Sequence, residues 1–145
     1  MADKGKRLIF SGGMTLCATE GVAATADLPG TAVTHTATTL TTNVSASTVF
    51  GAPKLFADYD MLAAKTVDDA WTVGGTMIAR ELIQGATANL LVASGNNITA
   101  RGVPLTVNGA GLLKIAATTG ADYIYAYSDE IINATANTLV RVKGA

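Results

Sequence analysis

Short segments with strand-like patterns, separated by turn residues, make up most of this chain. Pro104–Val107 is followed by Asn-Gly-Ala-Gly at residues 108–111 and then by a second apolar segment, which is the signature of a β-hairpin. Further strands are predicted at residues 76–83, 90–93, 98–101, 123–132 and 138–143. No stretch of twelve or more residues has the apolar spacing of an amphipathic helix. The pattern predicts a mainly β protein, a small barrel or sandwich of short antiparallel strands.

Three tyrosines alternate with smaller residues near the C-terminal end. Tyr123, Tyr125 and Tyr127 are separated by Ile124 and Ala126. A period of two residues is typical of a strand with one solvent-exposed face. The three rings are therefore expected on the same face of a half-exposed strand. If that face is exposed, they could supply a surface that stacks on a carbohydrate.

An internal repeat is visible in the second half of the chain. Residues 81–92 recur as residues 130–140 with one glycine deleted, and both copies contain Ala-Thr-Ala-Asn after a glutamate. Each copy has the pattern of a strand end, a tight turn and a new strand. The repeat predicts two equivalent β-hairpins within a barrel-like C-terminal domain, residues 68–145.

The segment 31–50 is rich in threonine and carries no aspartate, glutamate, lysine or arginine. Threonine is stiff at χ1 and favours extended backbone. One interpretation is a pair of edge strands with a threonine-rich solvent face. The other is an extended arm that pairs with the sheet of a neighbouring subunit. Residues 1–67 are accordingly predicted to hold the N-terminal strands and this arm.

The composition is unusually poor in charge. Charged residues make up 14% of the chain and apolar residues 49%, whereas ordinary soluble domains carry roughly a quarter charged residues. Little electrostatic self-repulsion then keeps copies apart. The net charge of −1 gives no attraction to nucleic acid or to an anionic membrane. No apolar run approaches the roughly 18–20 residues that span a bilayer. The balance favours a structural subunit that packs against other proteins.

Residues with catalytic potential are few. His35 is the only histidine. Cys17 is the only cysteine, and we expect it to be a thiol packed in the core. The glycines match no phosphate-binding motif. Four carboxylates fall in predicted loops, at Asp58, Asp60, Asp68 and Asp69. We expect them to organise those loops, so no enzyme, metal or cofactor is predicted. The alternative is a small hydrolase that uses these carboxylates between subunits. Trp71 is equally suited to a barrel core and to a partner contact.

The order of elements in the second half is more specific than any single element. It consists of Gly-Val-Pro-Leu-Thr-Val-Asn-Gly-Ala-Gly (102–111), an alanine-rich spacer (115–119), Ile-Tyr-Ala-Tyr (124–127), an Ala-Thr-Ala-Asn turn (134–137) and Leu-Val-Arg-Val (139–142). Over residues 74–144 this order resembles the capsid decoration, or cement, proteins of tailed bacteriophages. Tyr125 stands where that family commonly has glycine, and the N-terminal half is not covered by the resemblance.

The resemblance implies a homotrimer on the exterior of an icosahedral capsid in the virion, where it bridges subunits of the major capsid protein. The expected contact residues come from the predicted arm: Val33, Thr36, Leu40, Val44, Val49 and Phe50. One alternative is a head-fibre or adhesion module that binds a host surface through the three tyrosines. Another is an extracellular β module, which requires signal cleavage near Ala26.

Overall fold

A computed structural model describes residues 6, 8–12, 18–44, 53–117 and 122–145. This part of the chain is all β, with thirteen strands and no helix, so it contains no helix that meets the length and apolarity needed to cross a membrane. The strands are β1 (Phe10–Gly12), β2 (Ala18–Ala23), β3 (Ala32–Thr36), β4 (Thr39–Thr42), β5 (Leu55–Ala57), β6 (Thr76–Glu81), β7 (Thr87–Val92), β8 (Asn96–Ile98), β9 (Pro104–Val107), β10 (Leu113–Ile115), β11 (Ala126–Ser128), β12 (Ile132–Ala134) and β13 (Thr138–Gly144).

The first five strands after β1 close into an N-terminal barrel in the order β2-β4-β3-β5-β6. The threonine-rich β3 and β4 form a hairpin whose turn contains Ala37 in a left-handed conformation, φ 52°. Alternate residues point into the barrel because strand side chains have a period of two. The interior is small and contains Leu40, Met77 and Trp71 together with several alanines.

The later strands form a C-terminal barrel in the order β7-β10-β9-β11-β13, which the β7–β13 pairing closes. Strand β1 pairs with β7 as an additional strand, and β8 and β12 form a separate two-stranded sheet. The predicted hairpin is confirmed, because Asn108 to Gly111 connect the antiparallel strands β9 and β10. A mainly β fold built from small barrels is therefore what the chain adopts.

The threonine-rich segment is part of the N-terminal barrel wherever the structure describes it. Residues 31–44 contain the β3–β4 hairpin, which pairs with β5 and β2 on its two sides. This part of the segment forms strands and not an extended arm. The strands are not edge strands, however, because each is paired on both sides in the closed barrel. Residues 45–50 lie outside the described residues.

The two repeat copies do not form hairpins, and that prediction is wrong. Strand β6 pairs with β5 and β2, and β12 pairs with β8. Each copy instead carries the chain from one sheet into another. The second strands of the copies, β7 and β13, then pair with each other, with Leu91 opposite Leu139. These two leucines occupy matching positions in the repeat, so a local two-fold axis passes through the pair.

The two barrels are joined by a seam of backbone hydrogen bonds. The Gly30 N–H donates to the Ala57 carbonyl at 2.8 Å, and the Gly30 carbonyl accepts from the Leu91 N–H at 3.1 Å. The Ala32 N–H donates to the Gly111 carbonyl at 2.8 Å. The chain passes from the first barrel to the second after β6, whereas the predicted domain boundary after residue 67 falls in the loop between β5 and β6.

Candidate interaction surface

The predicted contact residues do not form one surface. Val33 and Leu40 are core residues of the N-terminal barrel, 2% and 0% exposed, because their strand positions point inward. The structure therefore removes these two from the predicted interface. Thr36 and Val44 are exposed. Val49 and Phe50 lie outside the described residues, as does Cys17.

A different group of exposed residues meets at one end of the N-terminal barrel. The Val22 N–H donates to the Thr38 carbonyl at 2.8 Å, and the Gly74 N–H donates to the Ala23 carbonyl at 2.9 Å. These bonds hold the end of β2, the β3–β4 turn and the turn before β6 side by side. We call this surface the neutral end, since its exposed members carry no charge: Val22, Ala24, Ala37, Thr38, Val73 and Gly74.

A second exposed apolar feature is the turn of residues 61–64, which we call the apolar turn. Met61, Leu62, Ala63 and Ala64 are all exposed, and Leu62 is 92% exposed. Single exposed apolar residues are normal, but a run of four is costly in water unless a partner covers it. The run therefore has the character of a docking element.

Hydrogen bonds hold the apolar turn in one conformation. The Asp60 carboxylate accepts from the Ala63 N–H at 3.1 Å, and the Asp60 carbonyl accepts from the Lys65 N–H at 3.0 Å. The Ala64 N–H donates to the Met61 carbonyl at 3.2 Å. An element ordered before binding loses less conformational entropy when it docks.

Trp71 anchors the loop that carries the apolar turn. Its side chain is buried in the N-terminal barrel, and its indole N–H donates to the Asp58 carbonyl at 2.7 Å. The Trp71 N–H donates to the Asp27 carbonyl at 3.0 Å. Trp71 is thus a core residue, the first of the two roles that its sequence left open.

Three of the four loop carboxylates, those of Asp58, Asp60 and Asp69, accept hydrogen bonds within the fold. Asp58 is buried and accepts from Arg80 Nε at 2.6 Å. Asp69 accepts from the Thr66 N–H at 2.7 Å and from the Thr66 hydroxyl at 2.9 Å, and these bonds, the backbone one first, lower the pKa of the Asp69 carboxyl. Within the ranges that the structure describes, no group of three or more His, Cys, Asp or Glu residues is arranged to hold a metal ion.

The three tyrosines do not share an exposed face, so they do not supply a stacking surface. Tyr125 is 1% exposed, and its ring makes edge contacts with Phe56 at 6.2 Å and Tyr123 at 5.3 Å between centroids. Its hydroxyl accepts from Asn43 Nδ2 at 2.9 Å. Tyr125 therefore lies in the seam between the barrels, and of the three only Tyr127 is exposed.

Comparison of the sequence with protein-family models and with curated proteins finds no match. The interaction surface is thus defined by geometry alone. The apolar turn was not predicted from the sequence, although the four consecutive apolar residues after Asp60 are a usable signal. The neutral end has no such signal, because hydrogen bonds bring together residues as distant in the sequence as Ala23 and Gly74.

Proposed function

We propose that this protein is a capsid decoration protein that binds the outer face of a bacteriophage head and bridges subunits of the major capsid protein. The observation that carries the proposal is the apolar turn, in which Met61 and Leu62 are exposed on a hydrogen-bonded loop. The low charge of the chain supports the same role, since an uncharged surface is readily desolvated against another protein.

The energetics suit a repeated lattice. Burial of apolar surface contributes about 25 cal/mol per Å², so two exposed side chains and a small neutral surface give each contact only a modest affinity. A symmetric oligomer engages several lattice sites at once, which raises the effective concentration of each further contact. We therefore propose a homotrimer as the bound form. Size-exclusion chromatography with light scattering measures this directly.

Binding to heads tests the role. Heads assembled without a decoration protein, from the phage that encodes this chain, are mixed with the purified protein and pelleted. We expect saturable binding at a fixed ratio to the major capsid protein. The double variant Met61→Ser with Leu62→Ser should bind at least about tenfold more weakly, because it removes the apolar contact.

A control variant distinguishes binding through the apolar turn from nonspecific hydrophobic adsorption. Ile131 is 67% exposed and lies next to β12, in the second half of the chain. Ile131→Ser also removes an exposed apolar side chain, although a smaller area than the double variant, and should leave binding unchanged. Equal binding by the wild type, the double variant and Ile131→Ser would refute the docking role of the apolar turn. Absence of saturable binding by the wild type would refute the proposed function.

The adhesion alternative requires exposed aromatic side chains, which the three tyrosines could have supplied. Burial of Tyr125 removes the middle ring of the three, and no observation among the described residues favours the alternative. We therefore do not adopt it.

A further inference from the structure

The N-terminal barrel has a polar cavity of about 310 Å³ that the proposed function does not use. This volume lies at the small end of the range of roughly 300–1,000 Å³ that ligand sites occupy, and barrel mouths are common positions for such sites. Its lining includes Thr19, Thr34, His35, Asn43, Leu55 and Glu81.

The strand register shows that this cavity belongs to the inner face of the barrel. Directly paired residues in antiparallel strands place their side chains on the same face. Glu81 pairs with the core residue Leu55, and His35 pairs with the core residue Leu40. Thr19 pairs with the buried Ala79. The inner face is therefore apolar along most of its length and becomes polar where Thr19, His35 and Glu81 line the cavity.

The inward polar groups are not used by the fold. In the described part of the chain, the side chains of Glu81, His35 and Thr19 make no hydrogen bond or ion pair. Lys54 is the cation that attracts Glu81, but its ammonium donates to the Ala145 carbonyl at 2.6 Å and lies 5.3 Å from the centre of the Tyr123 ring. Glu81 is half-buried and His35 is exposed, so both side chains stand at the mouth of the barrel, where a ligand can reach them from solvent.

We infer that this cavity binds a guanidinium or primary ammonium group, from an arginine or lysine side chain or from a free amine. Charge-assisted hydrogen bonds to a carboxylate are among the strongest in proteins, and the Glu81 carboxylate is available for one. The Thr19 hydroxyl and the His35 imidazole supply further acceptors. Leu55 gives the aliphatic part of such a ligand an apolar contact. This inference goes beyond the proposed function and does not depend on it.

The single histidine makes the test direct, because its imidazole NMR signals report on this cavity alone. The probes are N-acetylarginine amide, its uncharged analogue N-acetylcitrulline amide, and putrescine. We expect saturable shifts of the His35 signals with the arginine compound or putrescine and none with the citrulline compound. Tighter binding of the arginine compound assigns the site to a protein side chain, and tighter binding of putrescine assigns it to a free polyamine. Equal shifts with the citrulline compound would overturn the inference.

Two isosteric variants complete the test. Glu81→Gln should weaken cation binding by roughly tenfold or more, because it removes the charge and keeps the shape. Glu20→Gln is the matched control, since Glu20 is exposed and follows the inward Thr19, so it faces outward. Glu81→Asp keeps the charge and should retain binding if the glutamine variant fails to fold. Unchanged binding in Glu81→Gln would refute the site, whatever the result with phage heads.

Discussion

The two barrels have the same number of strands and very different interiors. Eight buried apolar residues form the cluster inside the N-terminal barrel, and three of them are alanines. The cluster centred on the C-terminal barrel has twenty, and it also recruits Phe56 and Ala32 from strands of the first barrel. We therefore infer that the C-terminal barrel provides most of the stability. The N-terminal barrel is a smaller body that presents the apolar turn, the neutral end and the polar cavity.

The largest expected effect is in the C-terminal barrel. A Cβ added at Gly144 would overlap the backbone carbonyl of Ile83, which cannot rotate away. Gly144→Ala should therefore cost more than about 3 kcal/mol of unfolding free energy or prevent folding. Urea unfolding measures it, with Gly109→Ala as the control because nothing lies within 4 Å of that position. Similar midpoints for the two variants would contradict the tight packing of β13.

The next effect is at the seam. A Cβ on Gly111 would lie 2.7 Å from Thr42 Cγ2 and 2.8 Å from Thr31 Cγ2, at φ 74°. Gly102 has a similar φ of 81° with open space around it. Gly111→Ala should thus cost about 2 kcal/mol more than Gly102→Ala. We expect the additional destabilisation in Gly111→Ala to reduce the hydrogen-exchange protection of β3 and β4 first. If protection falls equally in both barrels, they do not differ in stability as we describe.

A smaller effect tests the polar contact across the seam. Tyr125→Phe leaves the Asn43 amide without the hydroxyl that it now contacts at 2.9 Å, in a partly buried position. The expected loss is about 1 kcal/mol in thermal or urea unfolding. Tyr127→Phe removes an exposed hydroxyl and should change nothing measurable. A loss of equal size in both variants would show that the seam bond contributes no stability.

The smallest effect is a pH dependence in the loop of the N-terminal barrel. The folded state lowers the pKa of Asp69 below its ordinary value of 3.8, so this carboxylate stabilises the loop above that pH, and the stabilisation is lost as the pH falls through the lowered value. The difference in urea midpoint between wild type and Asp69→Asn should shrink in this acid range. If the difference in urea midpoint stays constant from neutral pH to pH 2, ionisation of Asp69 does not contribute to the stability of the fold.

Local signals in the sequence predicted several strands and turns, but not all of their bounds. The predicted strand 123–132 is divided into β11 and β12, and residues 99–101 follow β8 rather than forming a strand. The Asn-Gly-Ala-Gly turn after β9 and the strand Pro104–Val107 appear where the pattern placed them. Turn chemistry acts over four residues, so it can be recognised without knowledge of the rest of the fold.

Pairing between distant strands was not predictable in the same way. The repeat at residues 81–92 and 130–140 has the local pattern of hairpins, but β7 pairs with β13 because their leucines close the larger barrel. Val33 and Leu40 lie among threonines, and only closure of the N-terminal barrel reveals that they face inward. The cavity is hidden for the same reason, since Thr19, His35 and Glu81 come together only through the register of β2, β3, β5 and β6.

The most direct test of the central claim, that an apolar turn on the smaller barrel docks on a capsid, is the melting temperature of undecorated heads measured by calorimetry. Saturation with the wild-type protein should raise it by several degrees, because ligands that bind only the intact shell stabilise it. The Met61→Ser, Leu62→Ser variant should leave it near that of undecorated heads. An unchanged melting temperature with the wild-type protein, or the same rise with the variant, would contradict the account.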